Sequence, residues 1–239
     1  MSELVTYALK ESIATITMDD GKVNVLSLDM IAALNRALDR AAADKAVVVL
    51  TGREGRFSAG FDLGALGSGG NSAVDMLREG FLLSARLLSF ERPVVIVCTG
   101  HAIAMGVFLL LSGDYRLGAA GPYRINANEV AIGLTMPRAA VEVCRQRLAP
   151  AHFNRAVILA EPYAPDDTAV AAGFFDRVVQ PGELQDAARG VAERLANLNM
   201  DAHAASKVRA REQALRAIRA AIEADDADFR ALTAAAQQA

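Results

Sequence analysis

Apolar and polar positions along the chain fall into three patterns. In residues 4–18 they alternate, with Leu4, Thr6 and Ala8, then Ile13, Thr15 and Thr17, on either side of Lys10-Glu11-Ser12. A period of two around a polar centre predicts a β-hairpin. Residues 47–50 and 93–98 are short continuous apolar runs, the second opened by Pro93, and read as buried parallel strands. Between the hairpin and residues 47–50, Ile31, Leu34 and Leu38 recur with helical spacing behind a cap at Ser27 or Asp29. Residues 76–90 form a second amphipathic pattern, with Leu77, Phe81, Leu83 and Leu87 inward. After the small residues Gly100, Ala102, Ala104 and Gly106 the chain is solidly apolar as far as Ser112-Gly113, which predicts a helix buried all round.

Residues 64–71 carry too little side chain to pack and read as a mobile loop. Beyond Arg138 the pattern is mainly helical, over 139–148, 151–160 and 166–172, with Pro165 at the entry of the last. A short strand over 173–179 and a helix over 183–198 follow, and from Met200 to the end the chain is Ala-rich and helical. Arg209, Arg211, Arg216 and Arg219 lie on that last stretch, a stripe that reads as a solvated face. Buried strands alternating with helices give an α/β class, with a right-handed crossover between the hairpin and residues 47–50.

Composition narrows the function classes. A length of 239 residues is ample for a sizeable core, and 53% hydrophobic with 22% charged residues is ordinary for a globular domain. The net charge of −3 offers no basic footprint, so nucleic acid is not expected as a partner. Met1-Ser-Glu-Leu-Val-Thr-Tyr has no cationic stretch leading into an apolar one, and the apolar run at 107–111 is far too short to span a bilayer. A cytoplasmic protein without a membrane segment is expected. Cys98 and Cys144 stand in apolar contexts and read as two buried free thiols. Three His without ligand spacing argue against zinc, and no Gly-x-Gly-x-x-Gly fingerprint is present.

Two stretches carry candidate chemistry. The strand at 93–98, the small-residue turn and the buried helix N-terminus make a dry place for a developing oxyanion. After residues 47–50, Ser58-Ala59-Gly60 lets backbone approach closely and leaves the Phe61 amide to donate. These stretches resemble the enoyl-CoA hydratase/isomerase (crotonase) superfamily. Its Phe-x-Ala-Gly-x-Asp-Leu pattern is met by Phe57 to Leu63; its Gly-x-Ala-x-Gly-Gly-Gly pattern is met more loosely by Gly100 to Gly106, with Ala104 and Met105 in place of two glycines. Order and spacing are kept from about residue 10 to about residue 200.

The resemblance implies a crotonase-type ββα spiral, the fold shared with Clp proteases, with two nearly perpendicular sheets wrapped by helices. It implies a core over residues 1–198 and a helical segment over 199–239 that packs on the core or on a neighbouring subunit, usually in a trimer or hexamer. The substrate would be an acyl-CoA thioester, with no cofactor and no metal. The thioester oxygen would sit between the N–H groups of Phe61 and Met105. CoA and the acyl group would lie along Lys22, Val23 and Val25, whose Val23-Asn-Val-Leu26 resembles the family's Val-Asn-Ala-Leu. Ala59, Gly60, Asp62, Leu63, Ala104 and Phe108 would complete the walls. Asp62 and Asp114 fall at motif positions with structural roles, and His101 reads as a hydrogen-bonded structural histidine.

Glu129 is the candidate base. It precedes the apolar run 130–136, so it sits at the edge of a buried surface, where desolvation raises a carboxyl pKa. Many such carboxylates only cap or pair. The resemblance lifts this one, because it matches the second glutamate of the hydratases and the single base of mitochondrial-type β,γ-to-α,β isomerases. Hydratases carry another glutamate where this chain has Phe108. One carboxylate can carry a proton from C2 to C4 but is poorly equipped to activate water as well. The expected activity is therefore isomerase-type, with enoyl-CoA hydratase and a non-catalytic acyl-CoA binder as the alternatives. Ala104-Met105-Gly106 offers no serine nucleophile, which removes a Clp-type protease.

Overall fold

The opening alternation pairs as a hairpin, β1 (Val5–Lys10) and β2 (Ile13–Met18), antiparallel with Lys10 opposite Ile13. The computed structural model describes residues 3–236, so residues 1, 2 and 237–239 of the expected core and C-terminal segment lie outside the described residues. In β2 the buried side is Ala14, Ile16 and Met18; Ile13, Thr15 and Thr17 share the other, half-buried face. The period of two was legible, but the residues it singled out are not the most buried ones.

Each later turn of the chain repeats one plan. After β2 come the short β3 (Val25–Leu26) and α1 (Leu28–Ala43), and the chain returns as β4 (Val47–Thr51), parallel to β2. Ser27 rather than Asp29 caps α1, its Oγ accepting from the Met30 amide at 3.2 Å, and Ile31, Leu34 and Leu38 are buried as their spacing requires. After β4 come β5 (Gly55–Ser58), β6 (Gly60–Phe61), α2 (Leu63–Ser68) and α3 (Gly70–Ser89), then β7 (Val94–Cys98). The next turn is β8 (Gly100–Ile103), α4 (Met105–Leu111) and β9 (Tyr115–Ala119). The last runs from β10 (Ile125–Asn126) through α5 (Arg138–Arg145), α6 (Pro150–Val157) and α7 (Asp167–Ala172) to β11 (Arg177–Val179). Long strands build a six-stranded sheet in the order β1-β2-β4-β7-β9-β11; the short ones form a three-stranded sheet, β10-β8-β5, and the pair β3-β6. This is the crotonase spiral.

Residues 64–71 are helical on either side of Gly69, not a loop. Asp62 caps α2 through Oδ1, which accepts from the Gly64 amide at 2.9 Å and the Ala65 amide at 3.2 Å. Gly69 and Gly70, at φ +65° and +76°, make the break before α3. A good cap and a glycine hinge suffice where side chains contribute little.

Below the sheet the main core takes α1, α3, α4 and α5, and every residue of α4 is buried. On the outer face, α8 (Leu184–Ala196) covers Val47, Val49, Val95 and Val97. Cys98 and Cys144 are buried free thiols. Among the described residues no helix is long and apolar enough to cross a membrane.

The final helix, α9 (Met200–Ala236), packs against α3 and α5 of its own chain. It buries Leu215, Ile218, Ala221 and Ile222, a thin apolar stripe supplemented by charge. Lys207 Nζ donates to Asp114 at 2.6 Å and Arg211 Nη1 lies 2.8 Å from the other Asp114 oxygen. Desolvation pushes Lys207 down to about 8 against the pull of Asp114. Arg211, expected on a solvated stripe, is thus turned inward, while Arg209, Arg216 and Arg219 are exposed. Asp225, only 7% exposed, accepts from the Arg138 and Ala139 amides at the start of α5, at 3.1 and 2.9 Å.

Removing that cap leaves buried helix-terminal amides unpaired. Asp225→Ala should lower the urea midpoint, with a loss of about 1–2 kcal/mol. Glu223→Ala, which deletes the exposed partner of Arg78, should change stability by less than about 0.5 kcal/mol.

Candidate active site

Three chain turns converge under the main sheet. The first lies between β5 and β6. Asn24, fully buried at φ +54°, donates through Nδ2 to the carbonyls of Met18 and Phe57 at 3.0 and 3.2 Å. Ser58 Oγ donates to the Asn24 carbonyl at 2.7 Å and accepts from the Gly60 amide at 3.1 Å. Asp20 accepts from the amides of Lys22, Asn24 and Val25 at 2.7, 2.9 and 3.0 Å. These bonds fasten the Lys22–Val23–Val25 segment along β6, with Lys22 and Val23 at the surface. Asn24 and Ser58 stand in the sequence only as members of their motifs; the side-chain bonds they make here were not foreseen. An asparagine beside glycine-rich polar turns was the available signal, since Asn tolerates the left-handed region.

The second turn lies between β8 and α4 and is pressed against the first. A Cβ on Gly60 would stand 2.8 Å from the Ile103 carbonyl oxygen, 2.9 Å from Ala104 Cβ and 3.1 Å from the Met105 nitrogen. The sequence patterns at 57–63 and 100–106 therefore meet in space. Ala104 sits at φ +50°, ψ −123°, a region natural to glycine. Among the described residues the Met105 amide has no hydrogen-bond acceptor, and it opens α4 without a side-chain cap.

Aromatic rings wall this place. A Cβ on Gly80 of α3 would meet the Phe61 ring at 2.4 Å and Met105 Cε at 3.6 Å, so Phe61 and Met105 both lie over α3. Phe81 stands edge-on to Phe61 at 6.1 Å and 5.9 Å from the Phe108 ring. Phe108 is 1% exposed. Gly80 and Phe81 lie in a helix whose periodicity spoke only of burial, so nothing in the sequence marked them as part of this wall.

Glu129 comes from the third turn. The Ala104 amide donates to the Asn126 carbonyl at 2.9 Å, tying the Met105 turn to the strand three residues ahead of Glu129. Asn126 is in turn held by Arg124, at 2.6 Å, and the Ala160 carbonyl, at 2.9 Å. Glu129 is 8% exposed and its buried Oε2 has no hydrogen-bond partner. Burial pushes its carboxyl up to about 7, and its charge helps push the Cys144 thiol up in turn. A buried carboxyl with one oxygen unpartnered, poised near neutrality, is suited to exchanging protons with whatever occupies the site. The segment beyond it leaves Val130, Ile132 and Leu134 about half exposed, and Leu63 beyond Phe61 is more exposed still.

Other candidates are placed outside the chemistry. His101 Nδ1 accepts from the Arg124 amide at 3.0 Å and its ring stands edge-on to Tyr123, a structural histidine as expected. Asp114 accepts from the Val94 amide at 2.8 Å besides its α9 partners. Among the described residues no group of His, Cys, Asp and Glu is arranged to hold a metal ion.

Two stability consequences follow from these environments. Glu129 holds its proton more tightly folded than unfolded, so its contribution is present below pH 4.5 and lost as pH rises through about 7. Glu129→Gln should therefore be more stable than wild type near pH 8, by about 1–3 kcal/mol, and the gap should close toward pH 4.5 in urea titrations. Ala104→Gly relieves the backbone at φ +50° and should raise stability by about 1 kcal/mol in the same assay.

A family model described as enoyl-CoA hydratase/isomerase matches residues 8–239. An enoyl-CoA hydratase/isomerase family protein from Pseudomonas syringae superposes with a TM-score of 0.93 at 46% identity, over 95% of this chain and 98% of that one. An enoyl-CoA hydratase from Mycobacterium marinum gives 0.91 at 51% identity, over 95% and 99%. The Mtb enoyl-CoA isomerase gives 0.92 at 50% identity, over 96% and 100%. The chain is matched along nearly its whole length, and it belongs to the enoyl-CoA hydratase/isomerase (crotonase) family of acyl-CoA enzymes.

Proposed function

We propose that this enzyme moves a double bond of an enoyl-CoA from the β,γ to the α,β position. Enzymes of the family use no cofactor; the CoA thioester is the substrate. In this reading the thioester oxygen lies between the amides of Phe61 and Met105, where negative charge grows as the C2 proton leaves. Glu129 takes that proton, giving a dienolate, and returns it to C4, so that the carboxylate ends as it began. No water enters the balance.

The observation that carries the proposal is Phe108. By the resemblance it stands where the family's hydratases hold a second carboxylate, and here it is a buried ring tilted against Phe81. Together with Phe61 this makes an apolar wall, which disfavours the ordered water that hydration needs. The unpaired Glu129 agrees with it, since a lone base in a dry site is what a proton shuttle requires. The hydratase reading is kept as the competitor because a relative at 51% identity carries that name. Lys22, Val23, Val25, Ala59, Gly60, Asp62, Leu63 and Ala104 would line the CoA and thioester path.

A β,γ-enoyl-CoA should be isomerised faster than an α,β-enoyl-CoA is hydrated, both followed by the conjugated thioester absorbance. Glu129→Gln should lower isomerisation by about 10² to 10⁴ while leaving acyl-CoA binding in place. With a base near 7, kcat/KM should rise with pH up to about 7 and then level. Efficient hydration that survives Glu129→Gln would sink the mechanism; tight acyl-CoA binding with no turnover in either assay would point to a non-catalytic binder.

A further inference from the structure

A cavity of about 720 Å³ opens on the outer face of the six-stranded sheet, away from the site above. It exists because α8 seals that face incompletely. Ala188 faces the sheet from the helix and lines the cavity, and a side chain that small leaves room over β2 and β4. The floor is Ile13, Val49 and Val97. Thr15 and Thr17 project from the same face of β2, and among the described residues neither hydroxyl has a hydrogen-bond partner. The neighbouring Thr51 and Thr99 hydroxyls are already engaged, by the carbonyls of Val97 at 3.3 Å and Arg53 at 2.7 Å.

The rim decides what charge can enter. Lys10, Glu11, Glu54, Arg189 and Glu193 surround the opening. Arg189 is paired with Asp186 at 2.9 Å and with Glu193 at 3.8 Å, so it presents no free cation. That leaves Glu11 and Glu54 against Lys10, a slightly acidic rim that repels a polyanion such as CoA.

We propose that this cleft is a binding site, separate from the acyl-CoA site, for an uncharged amphiphile. Its aliphatic body lies over Ile13, Val49 and Val97, and its hydroxyl or carbonyl group bonds to Thr15 and Thr17. The volume is that of an ordinary small-molecule pocket, and two unpartnered hydroxyls above an apolar floor match such a ligand's single polar end.

n-Decanol is the probe, titrated into the full-length protein with and without saturating acyl-CoA, and read by calorimetry and by methyl NMR. Saturable binding is expected, with shifts at the Ile13, Thr15, Val49 and Val97 methyls that acyl-CoA does not displace. The anion n-decanoate should bind at least about tenfold more weakly, because two carboxylates face it at the rim. Thr15→Val with Thr17→Val keeps the shape and should weaken n-decanol about five- to tenfold. Ala188→Phe fills the cleft and should abolish binding; if that variant does not fold, the threonine pair decides. Shifts absent from the cleft, displacement by acyl-CoA, or unchanged affinity in the threonine double variant would overturn the proposal. So would light scattering in which Thr17→Tyr breaks an assembly, since the cleft would then be covered by a second copy of the chain.

Discussion

The contact on which the rest of the molecule depends is the meeting of two backbone turns, Gly60 against Ile103, Ala104 and Met105. No side chain mediates it, so the turns approach to backbone distance, and a single added methyl would push them apart. Everything near the site inherits that closeness. The buried α4 starts at this point, the Asn126 strand is tied to Ala104 just ahead of it, and the Phe61 ring is delivered onto α3. Ala104 bears the consequence, held in a conformation other residues avoid because β8 and α4 fix the chain on both sides.

Around that contact the protein spends polarity unevenly. The loop that precedes β3 is saturated with bonds: Asn24 and Asp20 gather amides and carbonyls from Met18 to Phe57 and leave it no alternative path. At Glu129 the opposite holds, a carboxyl oxygen buried with no partner. A group so placed opposes folding whenever it is ionised. The packed scaffold tolerates one such group because the turns beside it are over-determined.

Most of the fold was legible because strands and helices here follow their periods closely, from the hairpin to the spacing of Ile31, Leu34 and Leu38. The abutting turns were legible as motifs, and Phe108 as a departure from one. What escaped was set by partners distant in sequence. Residues 64–71 look structureless until Asp62 is seen capping them. Arg211 reads as a surface cation until Asp114, far earlier in the chain, is placed beside it. Alternation in β2 tells which residues share a face, but the main core with α1 seals one face, and α8, arriving much later, leaves the gap on the other.

The anchoring of α9 has a consequence for the order in which the molecule can mature. Asp114 ends the most buried helix, yet Lys207 is 93 positions further along the chain, and Asp225 reaches back 86 positions to Ala139. A ribosome producing this protein therefore exposes the sheet and its buried helix well before the residues that neutralise Asp114 and cap α5 exist. Contacts of such long sequence separation close late. During that interval the nascent chain presents an uncovered α3–α5 surface, the kind of apolar face on which chaperones act.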